Sequence, residues 1–389
     1  MFSTRLPPDA TPNALTRALE RVRASGAELV DLTQSNPTVA GFTYPPNMLA
    51  PLADTAALSY EPTPFGLPAA REAVSRDFAR RGVKVPAARV VLTASTSEAY
   101  AILFKLLCNP GDRVLVPAPS YPLFEHLTRL DAVQAVPYRL DYHGVWDVDF
   151  ASLERAVDER TRAVLVVSPN NPTGSWLKRD ELSRLASLCA RRGLALVGDE
   201  VFCDYPLEPS PIAVASVLEQ DEALTFGLAG LSKSAALPQV KLGWMGVSGP
   251  EPQVAAALAA LELICDTYLS VATPVQVAAA ALLASGAAMR AQIGARTRAN
   301  LDLLRHHASH HPSCGVLRAE GGWYAVVQVP AVQSEEQLVV ALLEQDHVLV
   351  HPGFFFDFPR EAYLVVSLLP PRAVFEPGIR RLLARAARA

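Results

Sequence analysis

Lysine is scarce in this chain. Of its 35 basic side chains only five are lysines: Lys84, Lys105, Lys178, Lys233 and Lys241. The rest are arginines, whose guanidinium neither deprotonates nor condenses with a carbonyl, so any imine chemistry rests with those five. Cysteine is equally sparse. Cys108, Cys189, Cys203, Cys265 and Cys314 are scattered, odd in number and without CxxC spacing. That argues against a disulfide framework and fits reduced thiols in the cytoplasm. Charged residues make up 19% and the net charge is −4, so no basic excess draws nucleic acid or an anionic membrane. Gly-x-Gly-x-x-Gly is absent, which argues against a dinucleotide fold. Residues 1–20 carry Arg5, Asp9, Arg17 and Glu20 but no apolar segment like that of a signal peptide. Glu262 interrupts even the apolar run 254–265, so no stretch is expected to cross a bilayer. The expectation is a cytoplasmic protein with neither nucleic acid nor membrane as partner.

What is present is apolar material in quantity. Half of the 389 residues are hydrophobic, more than one core usually holds, which predicts two domains. Near-continuous Val/Leu runs at 89–93, 113–116, 132–137, 163–167, 194–198, 223–227 and 242–247 read as strands. Helical patterns lie between them at 97–108, 122–130 and 180–192, the last stopped by Gly193 as a C-cap would stop it. Buried strands alternating with amphipathic helices predict an α/β fold, a mostly parallel sheet covered on both faces. Past Pro250 the pattern changes. Long alanine-rich helices at 254–265 and 274–304, with a bend near Pro274, precede short strand-like runs at 323–329, 348–350 and 363–368. This predicts a large domain over 45–270 and a smaller α+β domain formed by 1–44 with 271–389.

The ends of the strands carry chemistry. Ala94-Ser95-Thr96-Ser97 follows the first run and opens a helix, with hydroxyls and free backbone N–H groups for an anion; alone, it is an ordinary N-cap. Pro119-Ser120-Tyr121-Pro122 follows the second and offers an aromatic face, although a packed loop tyrosine reads the same way. Ser168-Pro169-Asn170-Asn171-Pro172-Thr173-Gly174 is a turn with adjacent carboxamides. Asp199-Glu200 puts acids at the end of a strongly apolar strand. Gly230-Leu231-Ser232-Lys233-Ser234 sets a lysine past another such strand, where open α/β sheets bind ligands, and Lys241 lies eight residues on. A lone lysine there is more often a solvated loop residue. Together, an anion cradle, an aromatic, a carboxamide, an acid and a lysine at one sheet edge fit a phosphorylated, planar pyridine aldehyde, with Lys233 as Schiff-base nucleophile.

With Asn-Pro-Thr-Gly, Asp-Glu and Ser-Lys in this order and spacing from about Leu32 onward, the chain resembles the fold-type-I pyridoxal-phosphate (PLP) enzymes of the class I/II aminotransferase family, the aspartate-aminotransferase-like group. The resemblance implies an amino-acid-metabolic aminotransferase that moves an amino group between an amino acid and a 2-oxo acid in a ping-pong cycle, as a homodimer. It implies that Lys233 holds PLP as an imine and shuttles the α-proton. Asp199 pairs with the pyridinium nitrogen, which makes the ring an electron sink. Asn171 donates to the phenolate oxygen and Tyr121 stacks on the ring. Ser95, Thr96, Ser97 and Lys241 serve the phosphate, Ser232 is a further cofactor-binding residue, and Tyr60, near Gly66, reaches the neighbouring subunit's phosphate. Ser35 and Asn36, before Pro37, line the substrate entrance with Asn171, and His351-Pro352-Gly353-Phe354 forms the turn before the last strand. No metal is implied.

The chain departs from the family at four places. Phe202 stands where a tyrosine donates to the phenolate oxygen. Lys241 replaces an arginine on the phosphate, and Gly230 a serine. Val365, in Tyr363-Leu364-Val365-Val366-Ser367, replaces the arginine that grips the substrate's carboxylate. Arg372, in Pro370-Pro371-Arg372, is the expected substitute, with Arg380 the next nearest; otherwise the substrate lacks an ordinary α-carboxylate. The valine keeps open another PLP reaction on the same fold, such as a decarboxylase, C–S lyase or racemase. A PLP-sensing transcription regulator is disfavoured, since only some 30 residues precede the matching region and no winged helix fits there. His306, His307, His310 and His311 have metal-ligand spacing, but no nearby acid or cysteine is expected to complete a site and Pro312 ends the segment. Arg380, Arg381, Arg385 and Arg388 read as the solvated face of a last helix.

Overall fold

The computed structural model describes residues 2–7 and 11–388; Asp9, counted above among the opening charges, lies outside them. Strand β1 (Val30–Asp31) belongs to the N-terminal segment. The centre of the molecule is an eight-stranded sheet. Its strands are β2 (Val90–Thr93), β3 (Arg113–Ala118), β4 (Gln134–Tyr142), β5 (Trp146–Val148), β6 (Thr161–Val167), β7 (Ala195–Asp199), β8 (Thr225–Gly230) and β9 (Gly243–Ser248), in the order β2-β9-β8-β7-β6-β3-β4-β5. The seven apolar runs are all strands. Parallel pairing joins β4, β3, β6, β7 and β8. The sheet is nonetheless mixed, because β9 lies antiparallel between β8 and β2 and β5 folds back on β4. Every residue of β7 and β8 is buried, as strands covered on both faces require.

Helices supply both covers. Phe78 of helix Pro68–Arg80 and Leu282 and Met289 of helix Thr273–Ala308 join one apolar layer, and Leu103 and Leu261 of helices Thr96–Leu107 and Glu251–Tyr268 the other. Gly193 caps helix Arg179–Arg192 in the left-handed region at φ 65°, the conformation that favours glycine. Pro274 does not bend a helix. It occupies the first turn of Thr273–Ala308, where its missing N–H costs nothing, and the chain turns at Leu269 instead. This helix corrects a second expectation: by length and composition it is apolar enough to cross a bilayer, with a mean hydropathy of 1.3 over its best 18 residues. Only 44% of that window is buried, several of its alanines being exposed, but most of its large apolar side chains face protein. Ala278, Ala279, Leu282 and Ile293 enter the core beneath the large sheet, and Leu301, Leu304 and Ala308 enter a second core.

That second core belongs to a smaller antiparallel sheet of β10 (Gly315–Val316), β11 (Tyr324–Gln328), β13 (His351–Pro352) and β14 (Tyr363–Ser367), ordered β10-β11-β14-β13. Strand β12 (Val348–Leu349) pairs in parallel with β1, tying the N-terminal segment to the C-terminal part of the chain. Helices Glu335–Asp346 and Arg372–Ala386 pack on this side. Arg385 is not free in solvent: it pairs with Asp346, and Arg381 donates to the Asp346 carbonyl.

Candidate active site

The C-terminal ends of β2, β3, β6, β7 and β8 converge on a cavity of about 340 Å³. Ser35, Ser95, Thr96, Ser97, Tyr121, Asn171, Asp199, Phe202, Ser232, Lys233 and Lys241 all line it, though they are spread over more than 200 positions of sequence. A doubly wound sheet puts its strand ends on one edge, so the loops after them meet.

Each is held by local structure. Ser95 caps helix Thr96–Leu107, its hydroxyl accepting from the Glu98 N–H at 3.1 Å. Gly243 backs that turn: a Cβ there would stand 2.8 Å from the Ser95 carbonyl carbon and 3.0 Å from the Thr96 nitrogen. Asn170, next to Asn171, is tied by its side chain to Pro119, Ser120 and Thr173, which fixes the turn between two cis prolines, Pro169 and Pro172. Asn171 itself is buried, and its side-chain Oδ1 has no hydrogen-bond partner among the described residues. Lys233 sits not in a loop but in the one-turn helix Leu231–Ser234. Tyr205 donates to its carbonyl, and Arg290 donates to that of Ser234 at 2.8 Å.

The electrostatics follow from burial. Asp199 is pushed up from its ordinary 3.8 to about 6, chiefly by desolvation, against hydrogen bonds from the Val201 N–H and the Tyr100 phenol. Desolvation pulls Lys233 down from 10.5 to about 8, with Asp199 opposing it. The Lys233 ammonium faces aromatic rings, 4.9 Å from the centroid of Trp323 and 5.7 Å from that of Phe202. A carboxylate that ionises reluctantly and a lysine that deprotonates readily share one pocket, the pattern expected where groups are tuned for chemistry.

The departures have physical reasons. Gly230 leaves no room for a serine, since a Cβ would meet the Leu242 carbonyl oxygen at 2.9 Å. Lys241 lines the cavity from a left-handed turn at φ 62°. Val365 is fully buried, set in register between Val326 and His351.

Three expected residues are elsewhere. Arg372 is not at the cavity: it opens the last helix, 74% exposed, and pairs with Glu376 at 3.0 Å. Pro371 is the N-cap before it, and Arg372 lines a surface groove with His307, His310 and Arg380. Asn36 is exposed and turns its side chain to Thr38. Tyr60 is 71% exposed beside a separate groove shared with Tyr268. The histidine cluster does have an acid in space, Glu376, 3.4 Å from His307. Among the described residues, no three His, Cys, Asp or Glu side chains are placed to hold a metal.

The structure adds residues that the motifs did not name. Tyr100 bonds Asp199, Val201 and Tyr324 line the cavity, and Trp323 and Tyr205 hold Lys233. Tyr100 was open to discovery, because it lies three residues after Ser97 on the same helix face. Tyr324 follows Gly321-Gly322-Trp323, and nothing local marks it.

The family profile described as aminotransferase class I and II matches residues 28–373. The chain belongs to this family. An alanine aminotransferase of Mycobacterium tuberculosis is 28% identical over 376 residues, covering 93% of this chain and 86% of that one. A glutamate-pyruvate aminotransferase of Escherichia coli is 25% identical over 360 residues, covering 90% and 88%. Among solved structures, the Pyrococcus furiosus alanine aminotransferase superposes with a TM-score of 0.88 at 22% identity, all of both chains covered. A Thermus thermophilus aspartate aminotransferase mutant does so at 0.84 and 24%, covering 100% and 99%. These likenesses identify the fold as PLP-transferase type I, a large mixed sheet plus a smaller antiparallel one. This class I/II aminotransferase transfers amino groups.

Proposed function

We propose that this aminotransferase moves an amino group between an amino acid and a 2-oxo acid on PLP, in the cytoplasm, as a two-fold homodimer. The observation that carries the reading is the meeting of Lys233, Asp199, Asn171 and Tyr121 with the Ser95–Ser97 helix start in one cavity. The residues fit PLP. Thr96 and Ser97 present the first N–H groups of a twelve-residue helix, and Ser232 and Lys241 stand by for a phosphate. Asn171 offers a buried carboxamide with an unspent polar atom, oxygen and nitrogen being interchangeable by a flip. Asp199 would face the ring nitrogen and Tyr121, 42% exposed, the ring's face. PLP, when bound, supplies an electron sink for a carbanion at the substrate's α-carbon. Lys233 then serves as the base that holds the α-proton, a task suited to an amine drawn down to about 8.

A second subunit is supported by apolar side chains left in solvent. Leu58, two residues from Tyr60, is 87% exposed; Tyr268, which shares a groove with Tyr60, is 55% exposed, and Leu263 on the same helix as Tyr268 is 73% exposed. On this reading Tyr60 serves the neighbour's phosphate, and the large unit spans 45–270 with 1–44 and 271–389 as the small one. The core that joins Leu15, Val22 and Leu32 to Val327, Leu364 and Leu383 supports grouping the N-terminal segment with the C-terminal part, while Ala278, Leu282, Val326 and Val365 share the large sheet's core.

The test is spectroscopic. Loaded protein mixed with single amino acids loses its visible absorbance, and adding a 2-oxo acid restores it. Loss without restoration, or release of carbon dioxide or sulfide, would defeat the transamination reading.

A further inference from the structure

An amino acid and a 2-oxo acid both bring a carboxylate into the cavity, yet among the described residues its lining holds two cations, Lys233 and Lys241, and no arginine. Neither lysine is spare. Lys233 faces Asp199 and is committed to the reaction, and Lys241 is assigned to the phosphate under the function proposed above. Val365 occupies the usual arginine position, and Arg372 lies on another face. A desolvated carboxylate without donors is costly, so donors must come from neutral groups.

The small sheet and the N-terminal segment provide them. Tyr324 starts β11, directly opposite Ser367 on β14, so both point to the same face. Its ring stands 6.2 Å from that of Phe202, nearly perpendicular at 88°. Phe202 in turn lies 5.7 Å from the Lys233 amine, which places Tyr324 beside the reacting centre. Ser35 lines the same cavity and lies close enough to the Tyr324 phenol to offset part of the upward shift that burial imposes on it. The segment carrying Ser35 is itself pinned, because Ser367 donates to the Gln34 carbonyl at 2.6 Å. Burial raises the phenol to about 12, so it remains an O–H donor at neutral pH.

We infer that Tyr324, oriented by Ser35, binds the carboxylate common to the amino donor and the 2-oxo acceptor, in place of the guanidinium missing at Val365. The inference rests on the PLP-site reading above. An O–H to carboxylate bond is charge-assisted and directional, and it adds no positive charge to the pocket. The site therefore rejects amines that lack the carboxylate by leaving the phenol unpaired rather than by losing an ion pair.

The test uses the PLP-loaded enzyme with propionate, a carboxylate without an amino group, as titrant in calorimetry. Tyr324→Phe should weaken propionate on the order of tenfold or more, the scale of one hydrogen bond to a charged group. It should raise KM for amino donor and 2-oxo acceptor by a similar factor and leave kcat little changed, the mark of lost uniform binding. Ser35→Ala should do the same more weakly. A purely structural tyrosine would lower Tm without that KM-against-kcat split. Unchanged propionate affinity in Tyr324→Phe that retains PLP overturns this inference alone. So does wild-type turnover of propylamine as fast as of amino acids. Failure of the wild-type protein to take up PLP overturns the cofactor reading and this inference with it.

Discussion

The Tyr100 phenol donates a hydrogen bond to Oδ2 of Asp199 at 3.0 Å, while the Val201 N–H donates to Oδ1 at 3.2 Å. Each oxygen of the buried acid thus has one donor, and both favour its charged form. Tyr100→Phe removes one of them in an isosteric way. The pKa of Asp199 should rise further above about 6, and less of the acid is then ionised at neutral pH. PLP affinity, measured by equilibrium dialysis, should fall on the order of tenfold, the scale of a hydrogen bond to a charge. Unaltered affinity would mean that the bond does not support the cofactor.

The same acid gives the apoprotein a pH signature. Its folded pKa, about 6, exceeds its ordinary 3.8, so between these values the folded state binds more protons than the unfolded state. Stability then falls as pH rises through that window. Asp199→Asn abolishes the fall and should be the more stable apoprotein above pH 6, by about 1–2 kcal/mol after subtracting the lost pairing with Lys233. Below about pH 4 the two proteins should unfold alike in urea. A wild-type advantage at pH 7 would contradict the burial argument.

Much of this site is legible from sequence for a definite reason. Residues such as Asp199 and Lys233 follow apolar runs, and a buried parallel strand shows itself as such a run. Once the strands are read, their C-terminal ends share an edge by topology, so the residues beyond them belong together. What escapes lacks a local mark. The three-residue strand β5 is too short to show alternation, and β9 reads like its parallel neighbours because burial on both faces hides direction. Arg372 misleads because adjacency in sequence to the last strand is not adjacency in space: a new helix begins there and turns it outward. Tyr324 escapes because its neighbours, Ser35 and Phe202, are distant in sequence.

Lys233 should load PLP in a pH-dependent way. Only the neutral amine attacks a carbonyl, and burial sets its pKa near 8. The loading rate should climb about tenfold per pH unit below that value and level off above it, as the neutral fraction does. Lys233→Ala should be colourless and inactive, and borohydride should trap the cofactor on residue 233 of the wild type. A label on Lys241 would refute the assignment.

The exposed apolar side chains predict the assembly. Leu58→Asp and Leu263→Asp each place a charge on a strongly exposed apolar side chain. If a second subunit covers these positions, both changes should shift sedimentation from dimer to monomer, because an unpaired charge cannot be buried cheaply. Activity should fall with the dimer fraction as Tyr60 leaves the neighbour's phosphate. A fully active monomer would end this proposal.

Phe202→Tyr separates the empty protein from the loaded one. Phe202 is buried, packed 5.3 Å from the Trp323 ring and 6.2 Å from that of Tyr324. A hydroxyl added at its tip enters a site whose neighbours are mostly aromatic, so the apoprotein should lose about 1–2 kcal/mol of stability for a poorly satisfied polar group. With PLP bound, the new phenol gains a partner in the ring's phenolate oxygen. It then competes with the lysine-derived proton for that oxygen, and the pH midpoint of the visible absorbance should move down. The variant should therefore melt below wild type when empty, lose that deficit when loaded, and titrate at lower pH. A midpoint that moves up, or a stability loss that persists on loading, would show that residue 202 does not face the phenolate oxygen.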